Sequence, residues 1–398
     1  MLINSLIIII ALCLGAYLAF SPKLKKSSSW QAMVTPLASI MGSGFLVSAP
    51  LLGGVVGVNA VFCMAILLVI AYGVGSVMRY NILNFEPIEN ETGHPQQIAF
   101  LSRIILAGAY FISVTYYLQL LAAFLLKSFG ITHPLMANWI TTALLLTIGF
   151  IGIWRGLGML EKMEKYAVAL NLGMIGSLLF ALAYYNIKLA SQGSWALPEI
   201  SSSINSNDIR ILLGLLIVVQ GFETSRYLGD QHSPAERVKT MRYAQITASI
   251  IYVLFISLAT VLFHKDMGAD VTAIIEITTP VAVVLPTLLV IAAIGSQFSA
   301  AVADNAGAGG LIGEITHHRV PLSYAYAFIL LITIVLTWET NVNLIIVYAS
   351  RAFALFYLLQ SCLATLLAKK NKESKKALMF AGLAAICALV FLIGAPAE

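Results

Sequence analysis

Apolar runs of 18 or more residues recur along the whole chain, separated by short clusters of Ser, Gly, Pro and charged residues. A run of that length crosses a hydrocarbon core of ~30 Å as a helix. The pattern predicts spans at 2–21, 31–56, 58–79, 99–129, 134–154, 164–187, 209–228, 241–264, 275–313, 321–338, 342–368 and 376–395. The alternating pattern of membrane strands is absent, and in lipid a lone segment satisfies its own backbone only as a helix. The predicted fold class is therefore all-α, a polytopic membrane protein of about 12 transmembrane helices. The run 275–313 is the least regular, with Pro280 and Pro286 early and a glycine-rich tail, which leaves its ends open. One longer polar connection, 188–208, separates two similar halves. The expected organisation is an extra N-terminal helix and loop (1–30), a first five-helix set (31–187), the connection (188–208), a second set (209–368) and a last helix (369–398).

Composition agrees with that pattern. The 398 residues are 60% hydrophobic and 10% charged, against roughly 25% charged in soluble domains. The net charge of +5 invites a nucleic-acid reading. Placement removes it, because the basic residues sit in short loops between apolar runs. Twelve crossings with the N-terminus outside collect 18 of the 23 Lys and Arg on one side, including Lys23, Arg103, Arg155, Arg237 and Lys369. The other side holds Lys127, Lys188, Arg210 and Lys265, and Arg351 lies within a span. The expected location is the cell inner membrane with the basic loops cytoplasmic. Residues 1–21 lack a basic start, and Lys23, Lys25 and Lys26 follow instead of a cleavage site, so this first helix reads as uncleaved. Cys13, Cys63, Cys362 and Cys387 all lie in apolar segments without CxxC spacing, supporting neither a disulfide framework nor a metal site. No enzyme motif such as HExxH or GxSxG is present.

Two spans break their apolar run in the middle. The span 31–56 contains Met41, Gly42, Ser43, Gly44 and Phe45, then Pro50; the span 209–228 contains Gln220, Gly221, Phe222, Glu223, Thr224, Ser225 and Arg226. Each is the first of a set of five. Since five is odd, the second set crosses the membrane in the opposite sense to the first, as an inverted repeat requires. Glycines let the backbone unwind, and unwound backbone at membrane depth survives where it lines a cavity or binds something. Half-helix N-termini then offer partial positive charge to an anionic group such as a carboxylate. Close packing of small residues is the plainer explanation of either motif alone; matched positions in both sets favour a transporter site.

The run Leu37 to Gly44 followed by Pro50 resembles the first-helix pattern of the amino acid–polyamine–organocation (APC) superfamily. Gly221-Phe222-Glu223, then Gly229-Asp230 and Ser233 to Arg237, resembles its sixth helix and the loop after it. The resemblance covers about 31–368. It implies a LeuT-like 5+5 inverted repeat, substrate bound at the two breaks, and alternating access. It also implies, in sodium-coupled members, an ion held by the carbonyls of Ala38 and Met41, the carbonyl of Ser296 and the hydroxyl of Ser299. Ala300 stands where such members often carry a second hydroxyl, and Asn171 stands where many proton-coupled relatives carry a lysine. Sodium is favoured over protons, with no other metal and no cofactor expected.

Ionisable groups at membrane depth are functional candidates by default. Glu223 is expected to cap the following half-helix, carry a proton or pair with Arg226. Asp304, beside Asn305, is expected to face the bundle interior or the cytoplasmic vestibule, or else to form a gate ion pair, and Arg351 to snorkel or pair with Glu223 or Asp304. Tyr116 and Tyr117 fall mid-span and are candidates for the substrate cavity. The expected partners are a small-molecule substrate, an amino acid or related amine, and the lipid bilayer, with no nucleic acid; the sequence carries no sign of an oligomeric state. The alternative function is a solute sensor or channel built on the same core.

Overall fold

The computed structural model describes residues 2–131, 133–200, 203–229, 231–264, 267 and 270–397, without the side chains of Ser43, Pro134 and residues 159–165. Asp230 of the quoted loop, Lys265 of the charge split, and the side chains of Ser43, Lys162 and Lys165 lie outside that description. The protein is all-α: 83% helical, with no strand among the described residues. Ten helical stretches among them are long and apolar enough to cross a membrane. One of the ten, Ser28–Asn84, takes both crossings predicted at 31–56 and 58–79. The crossing predicted at 209–228 is not among the ten, because no single piece of it is long enough.

In chain order the principal helices are α1 (Leu2–Phe20), α2 (Ser28–Ser43), α3 (Phe45–Val56), α4 (Ala60–Asn84), α5 (His94–Ser128), α6 (Pro134–Arg155) and α7 (Gly158–Ser191). They continue as α8 (Ser206–Gly214), α9 (Pro234–Ala259), α10 (Leu285–Ile315), α11 (Leu322–Glu339), α12 (Val342–Lys370) and α13 (Ser374–Ile393). Several helices outrun the predicted spans, because hydropathy sees only the part in lipid. α9 begins at Pro234 rather than 241: Ser233 accepts the Glu236 N–H as N-cap and Pro234 takes the first turn, where no N–H is needed. The irregular run 275–313 divides into a short helix, Ile274–Ile277, a turn through Pro280, and α10, which starts with Pro286 in its first turn.

At the centre, α10 packs along α5 and α7, and α5 along α12. The extra helix α1 lies against α7, and α13 against α12. α2 meets α9, α10 and the second broken element.

The two ends of the bundle differ. At the lysine- and arginine-rich end, Arg237 forms a bidentate pair with Glu86 at 2.9 and 2.6 Å and donates to the Arg226 and His232 carbonyls. Glu89 there meets Arg103 and, at 3.6 Å, Arg226. These contacts tie the α4–α5 connection to α5, α9 and the tail of the second broken element. At the other end a cavity of about 720 Å³ opens among the ends of α5, α11 and α12, the start of α6, and residues 270–272. Lys127 on its wall pairs with Asp270 at 3.4 Å and Glu276 at 2.6 Å.

Candidate functional site

The first break is one residue wide. Gly44, at φ −149° and ψ 4°, separates α2 from α3, while Gly42, Ser43 and Phe45 remain helical. The second break is longer. α8 ends at Gly214, a 3-10 turn covers Leu216–Val219, Gln220 and Gly221 are extended or left-handed, and a second 3-10 stretch runs Phe222–Leu228. The two motifs, read from sequence alone, predict non-helical backbone over all of 42–45 and 220–224. Within those two ranges only Gly44, Gln220 and Gly221 leave helical geometry, and both glycines lie where the opposite element's backbone comes close.

The two breaks touch. A Cβ on Gly44 would lie 2.6 Å from the Val218 Cα, and one on Gly221 would lie 2.6 Å from Ser39 Oγ and 2.8 Å from the Ile40 nitrogen. Gly221 also holds φ +120°, a conformation that side chains rarely adopt. The expected cavity between the breaks is thus closed by direct backbone contact. Gly42 differs: its nearest neighbour to an added Cβ is Ser296 O, at 3.9 Å.

Unwound backbone needs partners, since buried N–H and C=O groups are costly to leave unpaired. Side chains of three other helices provide them. Tyr252 on α9 places its hydroxyl 3.0 Å from the Ile40 carbonyl and 2.6 Å from that of Val218, bridging both broken elements with one proton. Gln297 on α10 donates to the Gly42 carbonyl at 2.9 Å. Ser350 on α12 accepts the Ile217 N–H at 3.0 Å. Aromatic packing completes the frame: Phe45 meets Tyr252 and Phe255, and Phe222 stacks on Tyr357 at 5.4 Å.

Glu223 is 1% exposed. Its carboxylate accepts the Gly221 N–H at 3.1 Å and the Tyr357 hydroxyl at 2.7 Å, the latter also 3.0 Å from Gln220 Oε1. It therefore caps the N–H at the break itself, two residues before it, rather than N–H groups of the half-helix that follows. The expected pairing with Arg226 does not form, because Arg226 turns to the bundle end and meets Glu89. Among the described residues no cationic side chain pairs with Glu223. Thr224 donates its hydroxyl back to the Gly221 carbonyl at 2.8 Å, closing the turn.

The remaining candidates spread along α5, α7, α10 and α12. Tyr116 and Tyr117 are buried in α5 with ring centres 5.1 Å apart. Asp304 is buried and accepts a hydrogen bond from Ser113 of α5, so it faces the interior; Asn305 beside it is buried with Oδ1 unpartnered among the described residues. Asn171 is buried in α7. α2, which carries half-buried Ala38 and buried Met41, packs against α10, where Ser296 and Ser299 are buried; the Ser296 hydroxyl bonds the Ala293 carbonyl of its own helix. Arg351 pairs with neither Glu223 nor Asp304. Its guanidinium donates instead to the Gly394 carbonyl, which leaves those acids to other partners.

Sequence reasoning missed Tyr252, Tyr357 and Gln297 as site residues. Their signal was present but faint: each is a hydrogen-bonding side chain inside an apolar span, and such a group at depth needs a partner.

A family model described as APC superfamily transporter matches residues 22–394. The chain belongs to the APC superfamily of transporters. This APC superfamily transporter is 43% identical to an uncharacterized protein of Aquifex aeolicus (strain VF5) over 392 residues, 96% of this chain and 95% of that one. Among solved structures, its fold is similar to a mutant of the Eremococcus coleocola manganese transporter, with TM-score 0.62, 14% identity, and 94% and 87% of the two chains covered. The same transporter in complex with an aromatic bis-isothiourea compound gives TM-score 0.58 at 15% identity, with the same coverage. At that identity the likeness speaks for the fold alone. The fold is that of a transporter, and the chain is not an enzyme.

Proposed function

We propose that this transporter is a secondary active carrier of a small organic solute, an amino acid or related amine, in the cell inner membrane. It works by alternating access about the two breaks, driven by a coupled ion. The observation that carries the reading is the interlocked pair of breaks, whose backbone groups are held by side chains of α9, α10 and α12 rather than by their own helices. Such contacts can be exchanged for a ligand's when the elements separate. On this reading residues 31–187 and 209–368 are the two inverted repeats, the ion-paired end is cytoplasmic and closed, and the 720 Å³ cavity is the outer approach. Separation of Gly44 from Val218 would free half-helix N–H groups for a carboxylate, and leave Glu223 and Gln220 for an amine. Manganese is the solute named for the structural neighbours. The breaks here offer glycines, an amide and the single carboxylate of Glu223, a set poor in the charged oxygens a divalent ion takes.

For coupling, the sodium reading places the ion between α2 and α10, on the carbonyls of Ala38, Met41 and Ser296 and the Ser299 hydroxyl. The proton reading has its own support, a buried Glu223 with no cationic partner among the described residues, since an ionisable side chain at membrane depth is a functional candidate by default. Purified protein in proteoliposomes, given labelled amino acids that raise its Tm, tests the whole reading. Concentrative uptake under a sodium or proton gradient is the expected result. Equilibration without accumulation would point to a channel, and binding without any flux to a sensor.

A further inference from the structure

α13 runs beside α12 back to the cavity end, and the segment after it is tied down rather than free. The Gly394 carbonyl accepts two N–H groups of Arg351, at 3.1 and 2.6 Å. Arg210 donates to the Ile393 carbonyl at 3.2 Å, and the Ala395 N–H donates to the Arg210 carbonyl at 2.9 Å. Gly214 lies so close that an added Cβ would stand 2.2 Å from Ala395 O. Pro396 and Ala397 then form part of the cavity wall, which Gln119 and Thr340 also line.

Arg210 and Gly214 both belong to α8, the first arm of the second break, and Arg351 belongs to α12. Two guanidinium groups, those of half-buried Arg351 and exposed Arg210, thus donate to the consecutive carbonyls of Gly394 and Ile393, although the Arg351 side chain, within a span, would ordinarily seek an acid or water. The segment fills the seam between the arm and its support.

We propose that residues 394–397 form a strap that holds α8 against α12, so that opening the second break toward the cavity requires the strap to release. The proposal rests on the alternating-access reading for its consequence, but its contacts exist without it. Arg351 and Gly214 are then gate-setting positions that touch no solute.

Hydrogen exchange of the full-length purified protein tests it. Arg351→Gln removes the bidentate donor. Ala395→Pro removes the N–H bonded to Arg210, and Gly394, at φ −53° and ψ 136°, already holds the conformation favoured before proline. Amides of residues 206–221 should exchange roughly tenfold faster in both variants, with those of α1 and α7 unchanged. Arg351→Lys, which keeps the charge without the fork, should fall between. Unchanged exchange at 206–221 in both variants would overturn the strap, and so would acceleration spread evenly over the chain, which marks general destabilisation. Exchange is read without transport, so the two ideas fail separately: faster exchange in the variants with no concentrative uptake by the wild type retains the strap and rejects the carrier.

Discussion

The two breaks look alike in sequence and differ in construction. The first is a single bend at Gly44 between two ordinary helices, and it exists because Val218 passes where a side chain would stand. The second spreads from Leu215 to Leu228, through two 3-10 stretches and the left-handed Gly221, and three of its backbone or side-chain groups are held by α12 through Ser350 and Tyr357. The first is shaped by what presses on it; the second carries its own internal cap, Glu223 on the Gly221 N–H. A short, externally shaped break can straighten or tilt with its neighbours, whereas a long, capped one needs its cap exchanged. On the proposed alternating-access reading, this asymmetry would make the first break the hinge and the second the chemical switch.

Steric disruption should break the comparison most severely. Gly44→Leu drives a side chain into the Val218 backbone and should abolish uptake while the protein still reaches the membrane, as read by immunoblot of membrane fractions. Gly221→Ala should do the same, through strain of about 1–3 kcal/mol at a left-handed φ plus the clash with Ser39. Gly42→Ala is the internal control: its Cβ meets only Ser296 O at 3.9 Å, so near-normal uptake is expected. Equal loss from Gly42→Ala and Gly44→Leu would mean that the first break is set by backbone freedom rather than by close approach.

Glu223→Gln addresses the switch. The amide keeps an acceptor for the Gly221 N–H and the Tyr357 hydroxyl but can no longer gain or lose a proton. If protons couple through this residue, uptake driven by a pH gradient should fall at least tenfold and lose its dependence on external pH, while exchange of solute between equal pools persists. Retained pH-driven uptake in this variant would move the switch elsewhere, with Asp304→Asn as the next variant to assay.

The tyrosines separate the two breaks at smaller cost. Tyr252→Phe leaves the buried Ile40 and Val218 carbonyls without its hydroxyl and should cost about 1–3 kcal/mol, felt at both breaks. Tyr357→Phe should cost a similar amount at the second break alone. Thermal unfolding in detergent, combined with exchange at 37–48 and 214–228, distinguishes them: protection is lost at both segments in the first variant and at the second segment only in the other.

Much of this was legible in the chain. Apolar runs marked the crossings because lipid demands them, and Gly44 and Gly221 marked the breaks, although Gly42, read with them, stayed helical. Contacts between distant elements were not legible. Nothing local to Tyr252, Gln297 or Tyr357 tells which carbonyl each will meet, since those partners lie dozens of residues away and depend on how helices rotate about their axes. Arg351 failed for the same reason. Charge complementarity suggested an acid, but the backbone of residue 394 arrived first. The break widths were also hidden, because unwinding depends on the opposite backbone rather than on glycine alone.

The smallest expected effect bears on the ion. If sodium sits between α2 and α10, the Ser299 hydroxyl is one of its few side-chain oxygens, since Ala300 offers none and the Ser296 hydroxyl bonds the Ala293 carbonyl. Ser299→Ala should then weaken apparent sodium affinity several-fold, about 1 kcal/mol, the scale of one hydrogen bond to a charged group. Substrate affinity at saturating sodium should stay nearly constant, because the breaks retain Tyr252, Gln297 and Tyr357. The effect should be confined to the first break's side of the bundle, where the Gly42 carbonyl already takes a donor from Gln297. Uptake with sodium replaced by choline supplies the reference at two pH values. Undiminished uptake in choline rejects the sodium site outright and leaves the proton reading, with Glu223 or Asp304 as the titrating group. Sodium-dependent uptake that ignores Ser299→Ala would keep the ion but move it off these residues, and the hinge at Gly44 would then move without an ion beside it.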